Sequence, residues 1–189
     1  MATNNDDSQQ AQQQQQQQQH QELAQRVAAA DTGVIIIDHG SRREESNAML
    51  NDVVALFRET NPQWRLVEPA HMEIAQPDLA SAFRKLVALG VKLIVIHPFF
   101  LLPGRHWSAD IPRLATEAAA ACGGGVRFLV TAPLSAHPLI ARIMQSRIET
   151  CLAAASDAGD ACDVCVKEGR HKCAFAGGTS DIEDLSVIQ

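Results

Sequence analysis

The chain has 189 residues, a net charge of −6 and five cysteines. The acidic balance excludes a general nucleic-acid binder, which needs a basic surface. No apolar run reaches the length of a membrane span; the longest, about Leu93 to Leu102, is interrupted by His97 and Pro98.

Residues 1–22 hold a glutamine tract and no apolar periodicity, so they bury too little surface to offset chain entropy and read as a disordered tail. Nothing apolar near the N-terminus suggests a secretory signal. The first 25 residues lack arginine, hold one serine and include Asp6 and Asp7, so no clear transit peptide is visible. Residues 23–155 suffice for one domain with a core of its own. Residues 156–189 lose the regular pattern and read as an appended cysteine-containing tail.

The first element is the run Val34 to Ile37, apolar without alternation, as in a strand buried on both faces of a parallel sheet. It ends in Asp38-His39-Gly40-Ser41, at the carboxyl end, where open α/β sheets bind ligands. Met49, Val53, Leu56 and Phe57 then mark an amphipathic helix to about Glu59, broken by Asn61-Pro62. Trp64 to Glu68 predicts a short second strand stopped by Pro69. Pro77-Asp78 starts a helix with Leu79, Phe83, Leu86 and Val87 on one face and Gly90 as its C-terminal cap.

Leu93 to Ile96 predicts the third strand. The loop after it, His97 to Trp107, is apolar and aromatic yet contains two histidines and an arginine. A helix is predicted from Ile111 to Ala121, a fourth strand from Arg127 to Thr131, and a last helix from Pro138 with Ile140, Met144, Ile148 and Cys151 on one face. This alternation predicts a three-layer α/β fold: a four-stranded, mainly parallel sheet with helices on both faces. No glycine-rich phosphate loop follows the first strand, so a nucleotide site of the usual kind lacks its cradle.

His39 and His106 both follow strands and project from the same sheet edge. Neutral imidazoles there could bind a divalent metal or take up protons near neutral pH. Alternatively, His39 caps the next helix and His106 is a surface loop residue. His71 and His97, near strand ends, could line the same cleft, and His137 belongs to a helix start. Glu73 could enter the cleft or be a solvated loop acid. Arg42, Arg43, Arg105 and Arg113 flank the two histidines and suit an anionic ligand, although Arg42 and Arg43 could simply offset Glu44 and Glu45. Phe99, Phe100, Leu101, Leu102 and Trp107 could wall a flat apolar ligand, or Phe99 and Phe100 could belong to the core.

In the tail, Cys162 and Cys165 form C-x2-C, and Cys173 follows. Such spacing lets two thiolates grip one metal centre. With Cys151 or a second subunit the set could complete an iron–sulfur cluster; with His171 it could make a zinc site. Cys122 reads as a small buried residue.

The segments VIIIDHGSRREESN, EPAHMEIAQPDL, HPFFLLPGRHWSADIP and TAPLSAHPLI, in that order over about Gly33 to Leu152, resemble the short, single-repeat chelatases of sirohaem and cobalamin synthesis. The cysteine tail is similar to that of the plant, iron-inserting members. The resemblance implies a chelatase-like half-unit acting as a homodimer that inserts Fe2+ into sirohydrochlorin, yielding sirohaem and two protons. It implies that His39 and His106 are the catalytic, metal-binding pair. It further implies a 2Fe-2S or 4Fe-4S cluster on Cys151, Cys162, Cys165 and Cys173, and a chloroplast location. A different class of reading is a non-catalytic metal-binding module, handling zinc or iron, whose cysteine tail recruits a partner.

Overall fold

The computed structural model describes residues 31–156 and 162–167. These fall into two compact units divided between Ser135 and Ala136. The Gln-rich segment, His171 and Cys173 lie outside the described residues.

The first unit runs β1 (Thr32–Asp38), α1 (Glu44–Thr60), β2 (Leu66–His71), α2 (Leu79–Ala88), β3 (Leu93–Pro98), a π-helical turn (His106–Asp110), α3 (Ile111–Ala121) and β4 (Arg127–Val130). The strands form one sheet in the order β2-β1-β3-β4, and every pairing is parallel. The expected four-stranded α/β architecture is present.

Because side chains alternate across a strand, β1 serves both faces. Ile35 and Ile37 join Ile94 and Ile96 beneath Phe83 and Leu86 of α2 and Ile111 and Ala115 of α3. Val34 and Ile36 turn the other way, against Leu50 and Val54 of α1. Helices thus cover both faces, and this two-sided burial is why the strand reads as an unbroken apolar run. Gly33 admits α2 closely: a Cβ there would lie 2.8 Å from a Leu86 methyl.

Two strands extend past their predicted ends. β2 does not stop at Pro69 but continues to His71, with Pro69 opposite Ile36 of β1. β2 is an edge strand with only one neighbour, so a residue without an N–H is tolerated on its open side. β3 likewise takes in His97 and Pro98. α2 has the expected caps. The Asp78 carboxylate accepts the Ser81 N–H at 2.8 Å, and after the helix Gly90 (φ +85°) lets Val91 N–H reach Leu86 O and its own N–H reach Val87 O.

The second unit contains α4 (Pro138–Ala155) and the single turn α5 (Asp163–Lys167). His137 caps α4, its Nδ1 accepting the Leu139 N–H at 3.2 Å. Of the apolar face expected on α4, Met144 and Ile148 are more than half accessible while Ile140 and Cys151 are half-buried; Ile143 and Leu152, outside that set, are also more than half accessible.

Candidate functional site

Strand order decides where a site can form. From β1 the chain steps to β2 on one side, then crosses back to β3 on the other. The loops after β1 and β3 therefore diverge and leave a crevice at the carboxyl edge, the place where open α/β sheets bind ligands. His39 follows β1 directly, and His106 opens the π-helical turn after β3. Their ring centroids are 5.1 Å apart with planes at 71°. Two imidazoles sharing one ion, with bonds of about 2.1 Å and a tetrahedral angle, have centroids roughly 5 Å apart. The spacing thus suits a shared divalent ion.

The two rings are held differently. His106 Nδ1 donates to Asp110 Oδ2 at 2.9 Å, one π-turn along, which leaves Nε2 as the lone-pair nitrogen. Trp107 anchors the same turn, its indole N–H donating to Thr131 O at 2.8 Å. Phe100 lies against His106 with centroids 6.4 Å apart. His39 Nε2 is 3.9 Å from Glu73 Oε2, too far for a direct hydrogen bond but close enough for electrostatic support. Both histidine side chains are 45% exposed, so a ligand arriving from solvent reaches them.

The backbone beneath His39 is tightly set. Met72 N–H donates to Asp38 O at 2.9 Å, and Glu73 N–H donates to His39 O at 3.1 Å. Gly40 has φ +83°, and a Cβ there would lie 2.1 Å from Glu73 O. Only glycine fits where the two loops cross. The backbone of Glu73, expected as a possible cleft residue, is therefore held beside His39, while its side chain is 56% exposed.

The other histidines fall outside this crevice pair. His71 is 3% exposed, and its Nδ1 donates to Asp38 Oδ1 at 2.6 Å. His97, in β3, bonds through Nδ1 to Thr131 Oγ1 at 2.8 Å, and burial holds its pKa below the ordinary value. Of the arginines, Arg43 pairs with Glu45 and Arg113 with Glu117. Arg105 is 87% exposed and only 4.0 Å from Asp110, and Arg42 lies on the surface. Leu101 and Leu102, in the loop after β3, are exposed. Two residues with clear geometric tasks, Asp38 and Asp110, escape a search for histidines. Their signals are the i, i+4 spacing of His106 and Asp110 and the acid immediately before His39.

In the second unit, the Cys165 backbone N–H donates to Cys162 Sγ at 3.4 Å. That bond, with the Cys165 side chain, holds the Cys162 thiol below its ordinary pKa. Asp163 pairs with Arg147 of α4. Among the described residues, no three His, Cys, Asp or Glu side chains gather as a metal site. The described helices include none long and apolar enough to cross a membrane.

The CbiX family model matches residues 33–151. The sirohydrochlorin ferrochelatase of Arabidopsis thaliana chloroplasts is 47% identical over 141 residues, which cover 75% of this chain and 61% of that protein. This chain thus spans less than two thirds of that relative's length. A sirohydrochlorin cobaltochelatase of Sulfurisphaera tokodaii is 30% identical over 120 residues, 64% of this chain and 93% of the relative. The sirohydrochlorin chelatase SirB of Bacillus subtilis subspecies spizizenii, solved with cobalt, superposes with a TM-score of 0.57 at 19% identity. That match covers 63% of this chain and 50% of SirB, and it bears on the fold alone.

Proposed function

The chain belongs to the CbiX family, and from that membership we propose that it is a lyase inserting Fe2+ into sirohydrochlorin. The products are sirohaem and two protons. The observation that carries this reading is the pair of half-exposed imidazoles, His39 and His106, 5.1 Å apart at the crevice between β1 and β3.

Insertion needs groups that hold the ferrous ion before transfer and groups that accept the two pyrrole protons. The lone-pair nitrogens of His39 and His106 serve both needs in turn. While they hold Fe2+ they are ligands; once the ion passes to the ring they are free to take protons. Neutral imidazole suits this better than thiolate, which would retain the ion. Asp110 keeps the His106 Nδ1 proton in place, so Nε2 remains the working atom. Glu73, 3.9 Å from His39 and open to solvent, passes protons outward. The exposed guanidiniums of Arg42 and Arg105 take carboxylates at the rim of the macrocycle, whose apolar face lies on Leu101 and Leu102.

An iron–sulfur cluster fits the donor chemistry of the second unit. Cys162 and Cys165 offer two thiols at C-x2-C spacing with an N–H directed at one sulfur, and Cys151 and Cys173 would complete the set. When bound, such a cluster would supply one-electron redox chemistry. Iron and acid-labile sulfide assays with the visible spectrum of anaerobically purified protein test this; colourless protein containing zinc refutes it. The chloroplastic relative supports a plastid location, and the exposed apolar side chains of α4 support a homodimer. The catalytic domain is taken as residues 23–155, in line with the family match ending at 151.

The deciding experiment adds sirohydrochlorin and Fe2+ anaerobically and follows the spectral change on metal insertion. The protein accelerates it, and His39→Ala and His106→Ala remove the acceleration at limiting iron. A module that only binds metal would leave the rate at background. Full activity of His39→Ala would overturn the assignment of the pair.

A further inference from the structure

Among the described residues His71 is the only buried histidine, and metal insertion as outlined gives it no task. It cannot act in the crevice itself, because its ring is 3% exposed and its Nδ1 is engaged. It does, however, hold the residue next to His39. We propose that His71 is a positioning residue: by gripping the Asp38 carboxylate it sets the direction of the His39 ring. This deepens the function proposed above and rests on it.

The geometry forms a closed circuit. His71 and Asp38 are register partners at the carboxyl ends of β2 and β1. The Asp38 Oδ1 that accepts the His71 Nδ1–H at 2.6 Å also accepts the Gly40 N–H at 2.9 Å. The carboxylate thus spans His39, tying the residue before it to the residue after it. On the opposite side the Met72 and Glu73 N–H groups donate to the carbonyls of Asp38 and His39. The His71 backbone is itself anchored, its N–H donating to Pro77 O at 2.8 Å. Gly40 closes the circuit, since any Cβ there meets Glu73 O and lies 3.2 Å from His71 Cβ.

Without the His71 donor, Asp38 has one bond left to hold it and is 24% exposed, so water competes for it. The Gly40 turn loosens, and the His39 ring samples directions away from His106. His39 makes no strong side-chain bond of its own, its Nδ1 lying 3.4 Å from Gly40 O. Its aim therefore depends on the backbone beneath it. Support behind a ligand of this kind changes metal affinity by about 10- to 100-fold.

The test compares His71→Phe, His71→Gln and His71→Asn in the full chain. Asparagine places an N–H donor where Nδ1 stands; phenylalanine fills the volume without a donor; glutamine displaces it. The first readout is the proton–proton NOE between the His39 and His106 rings in metal-free protein. The second is the Co2+ dissociation constant by calorimetry. Phe and Gln variants should lose the NOE and bind Co2+ about tenfold or more weakly, while Asn restores both. If the Phe variant does not fold, the Gln and Asn pair carries the comparison. The proposal is overturned if the Gln variant keeps the NOE and wild-type affinity, or if Asn is as impaired as Gln. Should wild-type protein bind no Co2+, the proposed metal role of the pair fails, whereas the NOE comparison still decides the clamp.

Discussion

Gly40 and Gly90 form a controlled pair. Their φ angles are +83° and +85°, so alanine at either position meets the same backbone penalty, about 1–2 kcal/mol for a left-handed L-residue. Their surroundings differ. A Cβ at Gly90 meets nothing within 4 Å, whereas one at Gly40 would lie 2.1 Å from the Glu73 carbonyl oxygen. A backbone oxygen cannot swing aside as a side chain would. Relief at Gly40 requires the two loops to separate, which breaks the Glu73 N–H to His39 O bond at a net cost of about 1 kcal/mol. Gly40→Ala should therefore cost about 2–3 kcal/mol against about 1–2 for Gly90→Ala.

For a unit of this size each kcal/mol lowers the melting temperature by roughly 4 °C or more. Thermal unfolding followed by circular dichroism should place Gly40→Ala about 10 °C below wild type and clearly below Gly90→Ala. Co2+ uptake should fall with Gly40→Ala alone, because Gly90 precedes β3 at the amino edge, away from His39. If the two variants melt within about 2 °C of each other, the crossing of the loops is not as tight as described and the reasoning fails.

Asp110→Asn should weaken Co2+ binding about 10- to 100-fold with little change in melting temperature, measured by calorimetry on folded protein; unaltered affinity would remove Asp110 from any part in holding His106. Burial lowers the His97 pKa, so the unfolded chain takes up a proton that the native state resists. Stability should fall as pH drops below about 6.5 and level off below the folded pKa. His97→Gln should flatten that slope in urea titrations at several pH values, and an unchanged slope would assign it to other groups. Asp78→Ala, which removes the cap of α2, should cost about 0.5–2 kcal/mol by urea denaturation, with no effect on Co2+ affinity.

The pattern of elements was legible because the core is two-sided. Val34 to Ile37 reads as a buried strand since consecutive residues face α1 and then α2 and α3. The stops were harder. Pro69 reads as a strand breaker, yet β2 lies at the edge of the sheet, and edge position is a property of the assembled sheet. That misreading also concealed the pairing of His71 with Asp38, which exists only because β2 continues two residues beyond Pro69. The proximity of His39 and His106, 67 positions apart, could be argued from their strand ends. Their 5.1 Å separation could not, since it depends on the strand order and on the π-helical turn. Local spacing did not reveal that Met144 and Ile148 of α4 stay exposed, because burial depends on what lies opposite the helix.

A site that delivers a metal faces a different demand from one that keeps it. Tight structural sites close four strong ligands around the ion. Here two imidazoles, each 45% exposed, face a crevice with one carboxylate 3.9 Å from His39. Few ligands and open access favour release, but a loosely held pair would also bind weakly and in many geometries. The fold offsets this from below rather than from the front. His106 rides on a turn fixed by Asp110 and Trp107, and His39 on a loop fixed by Asp38, Gly40 and the Glu73 backbone. Under the proposed function, rigid support with an incomplete ligand set would let geometry, rather than bond number, define where an ion waits. The thiols of Cys162 and Cys165 follow the opposite logic: soft ligands of this kind suit a metal that stays.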